Sequence, residues 1–356
     1  MIIEKNKALL DKIKILLREN DNNIAIGNLL FNVYTEMYPE DIKRVQRYIS
    51  MGEEEKSAVV SSIFDYLEMN DDEEGTSFVA PYLFNGLEKL DFDYYANNEC
   101  AKSITNIGKY KDCSLEYLSY APYQTFAADD IYLTGYKENN HIGYFDQEFK
   151  YLALLKNKEI WMSLNPNEIK TMEPYIAKAK GQVLVLGLGM GYVAFMMAMK
   201  KEVKSVTIIE KDQNVINIFN NLIWPNFKNK DKIQIINDDA IGYLRRKHNI
   251  YDYIFADLWH SPDDGLPLFV EIKKIDKKID CWLETSMYAL LRRCMFTLLD
   301  EQLHGLKDNN YLKAKTYTDK VINKFYFQTK NLHLINEDDL NNLLDFNNLL
   351  NLVIGL

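Results

Sequence analysis

The amino-acid sequence predicts an α/β protein built on a doubly wound parallel sheet, preceded by a helical N-terminal domain and a small β-meander. Three observations lead to this fold class. From Gly181 onward, short runs of β-branched and apolar residues alternate with helical stretches, which is typical of a parallel sheet covered by helices on both faces. A loop containing Gly187, Gly189 and Gly191 follows the first run, and acidic residues follow the next three. The length of 356 residues allows about two domains of ordinary size.

The N-terminal third is predicted to be helical. Apolar residues recur there at helical spacing, as at Leu9, Leu10, Ile13, Leu16 and Leu17. The same spacing predicts helices over 24–38, 41–48 and 56–69, and the acidic run 71–74 indicates a solvated loop. We therefore expect a helical domain over residues 1–120.

A change of period predicts a small β-meander and a linking helix over residues 121–180. Short apolar runs at 142–145, 149–155 and 159–163 are separated by polar turns, as in an antiparallel meander. The sequence from Asn165 to Glu168 is typical of a helix start, which predicts a helix over 169–179.

Residues 181–304 are predicted to form the Rossmann-like domain. Its strands are expected at 183–186, 206–209, 233–236 and 253–256, with a fifth at 281–284 before a helix over 287–303. Residues 305–356 are rich in Asn, Leu and Lys and are predicted as a C-terminal helical extension.

Composition excludes several classes of function. The formal net charge is −10, whereas a nucleic-acid binder needs a cationic surface. The four cysteines show no C-x-x-C pair and the histidines lie far apart, so neither a metal site nor a disulfide framework is predicted, and a cytoplasmic location is expected. Residues 181–199 carry no charge and are long enough to cross a bilayer, but their alternating glycines favour a loop between strand and helix. Charges near the N-terminus interrupt any signal-peptide core, so neither a membrane nor a nucleic acid is an expected partner.

The residues at the predicted strand ends suit an adenosine ligand. Ligands of doubly wound sheets bind outside the carboxyl ends of the strands. Here the glycine loop follows strand one, Glu210 follows strand two, Asp239 and Ala240 follow strand three, and Asp257 follows strand four. An acid about twenty residues after the glycines is placed to accept hydrogen bonds from ribose hydroxyls. A dinucleotide loop would have a small residue at its sixth position, where this chain has Tyr192. The competing interpretation is that these acids only cap helices.

The order of these motifs resembles that of class I S-adenosylmethionine-dependent methyltransferases, and within them the spermidine synthase-like branch. The resemblance rests on 183–191, 208–210, 237–240 and 251–257, and covers about 142–257. It implies S-adenosylmethionine as the cofactor. The cofactor-binding residues that it implies are Gly187, Leu188, Gly189, Gly191, Glu210, Lys211, Asp239, Ala240 and Asp257.

Two departures from the aminopropyltransferase pattern bear on the reaction. The resemblance implies an Asp in the glycine loop and a D-x-x-D sequence after strand four; this chain has Met190 and His260 at the Asp positions. Asp257, facing the sulfonium and the acceptor, and His260, as a general base, are the catalytic candidates. Trp259, Tyr144 and Gln147 are weaker candidates for the acceptor pocket, since packing or surface roles also explain them.

The sequence therefore predicts an S-adenosylmethionine-dependent methyltransferase acting on a small acceptor. Because Asp238, Asp239, Asp257, Asp263 and Asp264 make the predicted mouth anionic, we expect a cationic amine. Two alternatives stay open: an aminopropyltransferase of the spermidine synthase type using decarboxylated S-adenosylmethionine, and a non-catalytic scaffold that retains the fold. A homodimer is the assembly that we consider for this protein.

Overall fold

The computed structural model describes residues 1–37, 39–69, 74–105, 107–247, 250–305 and 314–355. Most of the predicted acidic loop at 71–74 and part of the predicted C-terminal extension, residues 306–313, lie outside these ranges. In the described ranges, none of the helices combines the length and apolarity needed to cross a membrane.

The N-terminal region is mainly helical. Its helices are α1 (Lys7–Glu36), α2 (Pro39–Ser50), α3 (Glu55–Tyr66), α4 (Glu74–Gly86), α5 (Phe92–Ala96) and α6 (Glu99–Ser103). Two short strands accompany them, β1 (Ile2–Ile3) and β2 (Leu87–Lys89). The two helices predicted around 9–17 and 24–38 are a single helix, because no residue between them breaks it. The first half of α1 buries Leu9 and Ile13 in the main core, and its second half buries Ile26 and Leu30 in a separate core with α3 and α4.

Strands begin earlier than the sequence pattern predicted. They are β3 (Gly108–Tyr110), β4 (Cys113–Tyr120), β5 (Phe126–Ala127), β6 (Tyr132–Thr134), β7 (Lys137–Asn139), β8 (Ile142–Tyr144), β9 (Phe149–Lys156) and β10 (Glu159–Leu164). β4 pairs with β9 over its whole length in an antiparallel sheet of order β10-β9-β4-β3, although it falls in the segment predicted as helical. Cys113 and Leu115 alternate with more exposed residues and face the core, which is the period-two pattern of a strand.

The predicted meander is therefore only partly present. β9 and β10 form its hairpin, with Asn157 and Lys158 at φ of 53° and 73°, as a tight two-residue turn requires. β8 instead joins a three-stranded sheet of order β2-β8-β5. The linking helix α7 (Pro166–Lys178) starts as predicted, with the Asn165 side chain accepting a hydrogen bond from the backbone N–H of Glu168.

A five-stranded, wholly parallel sheet forms the centre, as predicted. Its strands are β11 (Gly181–Leu186), β12 (Val203–Glu210), β13 (Ile233–Asn237), β14 (Tyr253–Ala256) and β15 (Asp280–Cys281), and its order is β13-β12-β11-β14-β15. The helices between and after them are α8 (Tyr192–Met199), α9 (Gln213–Ile218), α10 (Ala240–Lys247), α11 (Pro262–Ile275) and α12 (Glu284–Leu303). The strand order reverses beside β11, where Leu186 pairs in register with both Ile209 and Ala256. The carboxyl ends of β11, β12 and β14 therefore meet at the switch point where such sheets bind ligands.

The C-terminal segment packs against the chain's beginning. Its described residues, 314–355, form α13 (Tyr317–Thr329), β16 (His333–Leu334), α14 (Glu337–Leu343) and α15 (Phe346–Ile354), so this part is mainly helical with one short strand. β16 pairs with β1, placing Ile2 beside His333.

Candidate functional site

A cavity of about 470 Å³ lies at the carboxyl ends of the central strands. This volume is within the usual range for small-molecule sites. The residues proposed from sequence that line it are Gly187, Leu188, Gly189, Glu210, Lys211, Asp239, Ala240, Asp257, Trp259 and His260. The β9–β10 hairpin and the start of α7 supply another wall through Trp161, Met162, Asn165 and Glu168.

Gly187 allows the loop after β11 to pass against β14. Its φ is +101°, and a Cβ atom built on it would lie 1.9 Å from the carbonyl oxygen of Asp257. No side chain fits there, so glycine at this position sets the floor of the cavity.

Gly191 has a different role from the one predicted. It does not line the cavity but stands before α8 with φ +80°, and a Cβ there would lie 2.5 Å from the Phe219 ring. Its contribution is to let the helix start pack on that ring, which corrects its assignment as a cofactor contact.

Glu210 joins two of the loops that line the cavity. Its Oε2 accepts a hydrogen bond from the Leu188 N–H at 3.2 Å, and its Oε1 accepts one from the Asp212 N–H at 2.8 Å. The Asn237 side chain donates to the carbonyl oxygens of Glu210 and Lys211, which fixes the end of β12. The carboxylate is thus held in one position while it lines the cavity.

Asp239 both caps a helix and lines the cavity. Its Oδ1 accepts a hydrogen bond from the Gly242 N–H at 2.7 Å at the start of α10. The capping interpretation and the binding interpretation of this residue are therefore compatible.

The anionic mouth was predicted from five aspartates, and not all of them lie at the cavity. Asp238, Asp263 and Asp264 do not line the cavity. Asp238 pairs with Arg246 at 2.5 Å, and Asp264 forms a capping box with Ser261 at the start of α11. Asp239 and Asp257 are the two of the five that line the cavity.

Asp257 faces a second acid that sequence reasoning missed. Glu168, in the first turn of α7, lines the same cavity. Burial raises the pKa of Asp257 to about 7. Burial, together with the charge of Asp257, raises the pKa of Glu168 well above its usual range. The sequence signal was present in the Asn165–Glu168 run, but the capping pattern explained that run without a binding role.

His260 lies at the rim of the cavity. Its side chain is 70% exposed, and its Nδ1 is 3.4 Å from Oδ2 of Asp264. Its role as a general base stays a prediction. Trp259 is 5% exposed, and its indole N–H is buried without a hydrogen-bond partner among the described residues.

Tyr144 and Gln147 are not part of this cavity. Tyr144 belongs to the N-terminal core, where its hydroxyl donates to Glu55 Oε1 at 3.1 Å. Gln147 is exposed in the turn before β9. Their assignment to the acceptor pocket is corrected, because β8 pairs with β2 and β5 rather than with the hairpin that lines the cavity.

Comparison with known proteins matches one segment of the chain to a family. Residues 169–295 match the family described as "Spermine/spermidine synthase domain". No curated protein sequence matches the chain.

Several solved structures are similar in part. Spermidine synthase from Thermotoga maritima is 14% identical, with a TM-score of 0.28, over 35% of this chain and 49% of that one. A spermidine synthase in complex with the transition state analogue AdoDATO is 14% identical, with a TM-score of 0.28, over 40% of this chain and 52% of that one. MNMC2 from Aquifex aeolicus is 17% identical, with a TM-score of 0.28, over 40% of this chain and 60% of that one. The first two matches span about half the length of those structures.

The family match covers β11 to β15, the cavity loops and most of α12, and the parallel sheet has the order expected of a doubly wound domain. The segment 169–295 is therefore similar to the spermine/spermidine synthase domain and forms a doubly wound parallel sheet.

Proposed function

We propose that the protein transfers a methyl group from S-adenosylmethionine to a small amine acceptor. Support comes from the convergence of four strand ends on one cavity, with the glycine loop, Glu210, Asp239 and Asp257 in its wall. Each of these groups suits one part of the cofactor.

The residues present fit such a cofactor. Gly187 lets the loop pass directly against the Asp257 carbonyl, and Gly189 opens on free space, with no atom within 4 Å of a built Cβ. Gly187, Leu188 and Gly189 would hold the methionine part. Glu210 would hold the ribose, with Lys211 beside the adenine, and Asp239 and Ala240 at the adenine edge. When bound, the cofactor supplies an electrophilic methyl group on a sulfonium.

The chain's own contribution to this reaction is positioning and proton handling. Holding donor and acceptor in line can lower the barrier by several kcal/mol, roughly 7 to 11 in well-oriented cases. The apolar lining, which includes Met162, Leu188 and Leu268, limits water around the reacting groups. An amine acceptor must lose a proton to react, and Asp257, with a pKa of about 7, is suited to accept it.

Met190 is the observation that favours methyl transfer over aminopropyl transfer. It is 5% exposed and lines the cavity, at the loop position where the aminopropyltransferase pattern has an Asp. Decarboxylated S-adenosylmethionine has no carboxylate to balance its ammonium group. The buried thioether of Met190 does not stabilise that positive charge. The intact cofactor carries its own carboxylate and does not need this partner.

Aminopropyl transfer is the second candidate. The match of residues 169–295 to the spermine/spermidine synthase domain favours it, and so do the two carboxylates of Glu168 and Asp257 on the cavity wall.

Calorimetric titration with S-adenosylmethionine, its decarboxylated form and S-adenosylhomocysteine tests these proposals. We expect the two carboxylate-bearing ligands to bind at least tenfold more tightly than the decarboxylated one, which corresponds to about 1.4 kcal/mol. Glu210→Ala should abolish this binding. Glu202→Ala, at an exposed position just before the same strand, is the matched control and should bind normally.

Each other outcome has a defined meaning. Preference for the decarboxylated ligand makes aminopropyl transfer the function. Cofactor binding without turnover on any amine in a screen favours the non-catalytic scaffold. Absence of binding to all three ligands refutes the proposal.

A further inference from the structure

A second cavity, of about 360 Å³, lies between the β6–β7 hairpin, α12 and the C-terminal helices α14 and α15. None of the described residues that line it also lines the cavity at the strand ends. Its volume falls within the usual range for small-molecule sites. The second cavity is therefore a separate place at which a small ligand could be held.

The walls of the second cavity are largely apolar. Leu133 of the hairpin, Leu344 and Leu349 all line it, and the last two are 5% and 1% exposed. Walls of this kind contact the carbon skeleton of a ligand, while the few polar groups among them select its head group. The polar groups of the second cavity therefore decide which ligand it suits.

Arg292 is the charged residue buried in this wall. It lies on α12, is 7% exposed, and its guanidinium carbon is 5.3 Å from the centre of the Tyr136 ring. Its NH1 and NH2 groups donate to the carbonyl oxygens of Gly135 and Tyr136, each at 3.2 Å, and both of those residues line the second cavity. A guanidinium has five N–H donors, and the other three make no hydrogen bond to a described residue. The hairpin therefore holds the Arg292 head group without using all of its donors.

The nearby acid Glu138 is already paired with another arginine. Arg293 donates from Nε to Glu138 Oε1 at 3.3 Å and from its NH2 group to Oε2, which occupies both carboxylate oxygens. Arg292 lies 3.9 Å from Glu138 Oε1, beyond hydrogen-bond distance, and no other acid of the described ranges lies within 4.0 Å of it. Two arginines and one glutamate leave one positive charge over. An unbalanced buried charge is costly, so this cluster favours an added anion.

The remaining polar groups of the second cavity are compatible with an anion. Asp345 also lines it, but this residue is exposed, and its Oδ1 accepts hydrogen bonds from two backbone N–H groups at the start of α15. The Tyr136 hydroxyl donates to Asn341 Oδ1 at 3.0 Å, so the amide NH₂ of Asn341 remains as a second donor at the exposed mouth. The Tyr288 hydroxyl donates to Glu284 Oε1 at 3.1 Å. Donors without a partner thus come from Arg292 inside the cavity and from Asn341 at its mouth.

We propose that the second cavity binds a small organic acid with a single carboxylate. The carboxylate contacts Arg292 in the wall and Asn341 at the mouth, and the carbon skeleton packs against the three leucines. A planar guanidinium matches the geometry of a carboxylate, and one negative charge balances the one positive charge of the cluster. A dianion such as a phosphate monoester exceeds that charge, and an ammonium ion adds to it. This site does not depend on the proposed function.

Ligand-observed NMR titration of the full chain at neutral pH tests the site. Benzoate is the probe, benzamide is its neutral analogue, benzylamine is its cationic analogue, and phenyl phosphate carries the second negative charge. Hexanoate and hexanamide repeat the comparison with a flexible carbon skeleton. We expect each carboxylate to bind at least about tenfold more tightly than its amide, and benzoate to bind more tightly than benzylamine and phenyl phosphate.

Three variants locate the binding. Leu133→Trp fills the second cavity from a half-buried position of the hairpin, so it should fold and abolish benzoate binding. Asn341→Ala removes the donor at the exposed mouth and should weaken benzoate severalfold. Asn342→Ala is its matched control, because Asn342 is equally exposed and does not line the second cavity. Arg292→Gln should remove the preference for benzoate over benzamide, and the first two variants decide the question if this one does not fold.

Equal affinity for the carboxylates and their amides overturns the proposal, as does tighter binding of benzylamine or phenyl phosphate than of benzoate. Benzoate binding that is unchanged in both Leu133→Trp and Asn341→Ala overturns it too, because the anion then binds elsewhere. Absence of binding by both carboxylates at millimolar concentration also overturns it. A preference for the carboxylates that Leu133→Trp abolishes and Asn342→Ala leaves intact supports it.

Discussion

Replacing Asp257 by asparagine should stabilise the ligand-free protein at alkaline pH. In the unfolded chain this carboxyl ionises near 3.8, whereas burial raises its pKa to about 7 in the folded protein. Between these values the folded state binds more protons than the unfolded state, so the free energy of unfolding falls as pH rises. This loss of stability is complete above the pKa of Asp257 in the folded protein and absent below its pKa in the unfolded chain. Asparagine does not ionise, so the variant does not lose stability as the pH rises.

The expected gain follows from the size of this change. A pKa that rises from 3.8 to about 7 changes by roughly three units, and each unit corresponds to about 1.36 kcal/mol. The upper limit is therefore about 4 kcal/mol. Asp257 is partly accessible through the cavity, so we expect a gain of about 2 to 4 kcal/mol above pH 8 and almost none near pH 4.

Urea unfolding followed by tryptophan fluorescence measures this difference. All four tryptophans lie between Trp161 and Trp282, so the signal reports on the region that holds the cavity. Asp264→Ala serves as a control of opposite sign. Burial raises the pKa of Asp264, but hydrogen bonds from His260 and Ser261 outweigh this and lower it overall. Its loss should cost about 1 kcal/mol at neutral pH, and less as pH falls below the ordinary pKa. An Asp257→Asn variant no more stable than the unmodified protein at pH 8.5 would refute the desolvation argument.

Two further substitutions follow from the geometry. Gly187→Ala forces a Cβ against the Asp257 carbonyl, so it should lower the stability of the fold by about 3 kcal/mol or more and abolish binding of the adenosyl ligands. Gly189→Ala has no neighbour within 4 Å and should lower the stability by only about 1 kcal/mol, through backbone strain. Thermal unfolding and calorimetry of the two variants check this, and equal effects would contradict it. Glu138→Gln removes the carboxylate that pairs with Arg293 and lies 3.9 Å from the buried Arg292. Thermal unfolding should show a loss of stability of about 3 kcal/mol. An unchanged midpoint would count against a structural role for these two ion pairs.

The side of the cavity formed by the strand ends was largely predictable from sequence. In a parallel sheet the carboxyl ends of neighbouring strands lie together whatever the connecting helices contain. Residues that follow a strand, such as Glu210, Asp239 and Asp257, can therefore be grouped from the strand pattern alone. Gly191 shows the limit of this reasoning, because a glycine in the motif can serve helix packing instead of ligand contact.

The rest of the cavity wall was not predictable in the same way. Glu168, Trp161 and Trp282 reach the cavity from elements outside the motif-bearing loops. Their sequence neighbourhoods show only a helix cap, a hairpin strand and a short edge strand. Tyr144 was proposed because it lies in the β region, but the pairing of β8 with β2 carries it into another core.

The sequence by itself determined the central sheet, because alternating buried strands and helices have few other ways to cover their apolar faces. It also determined the glycine loop and the acids at the strand ends, since strand direction alone brings these together. Only the tertiary structure decided which residues from the hairpin and from α7 close the cavity. Those positions depend on contacts between elements distant in the chain, such as the hydrogen bond from Trp282 to Thr171, and no local pattern encodes such a contact.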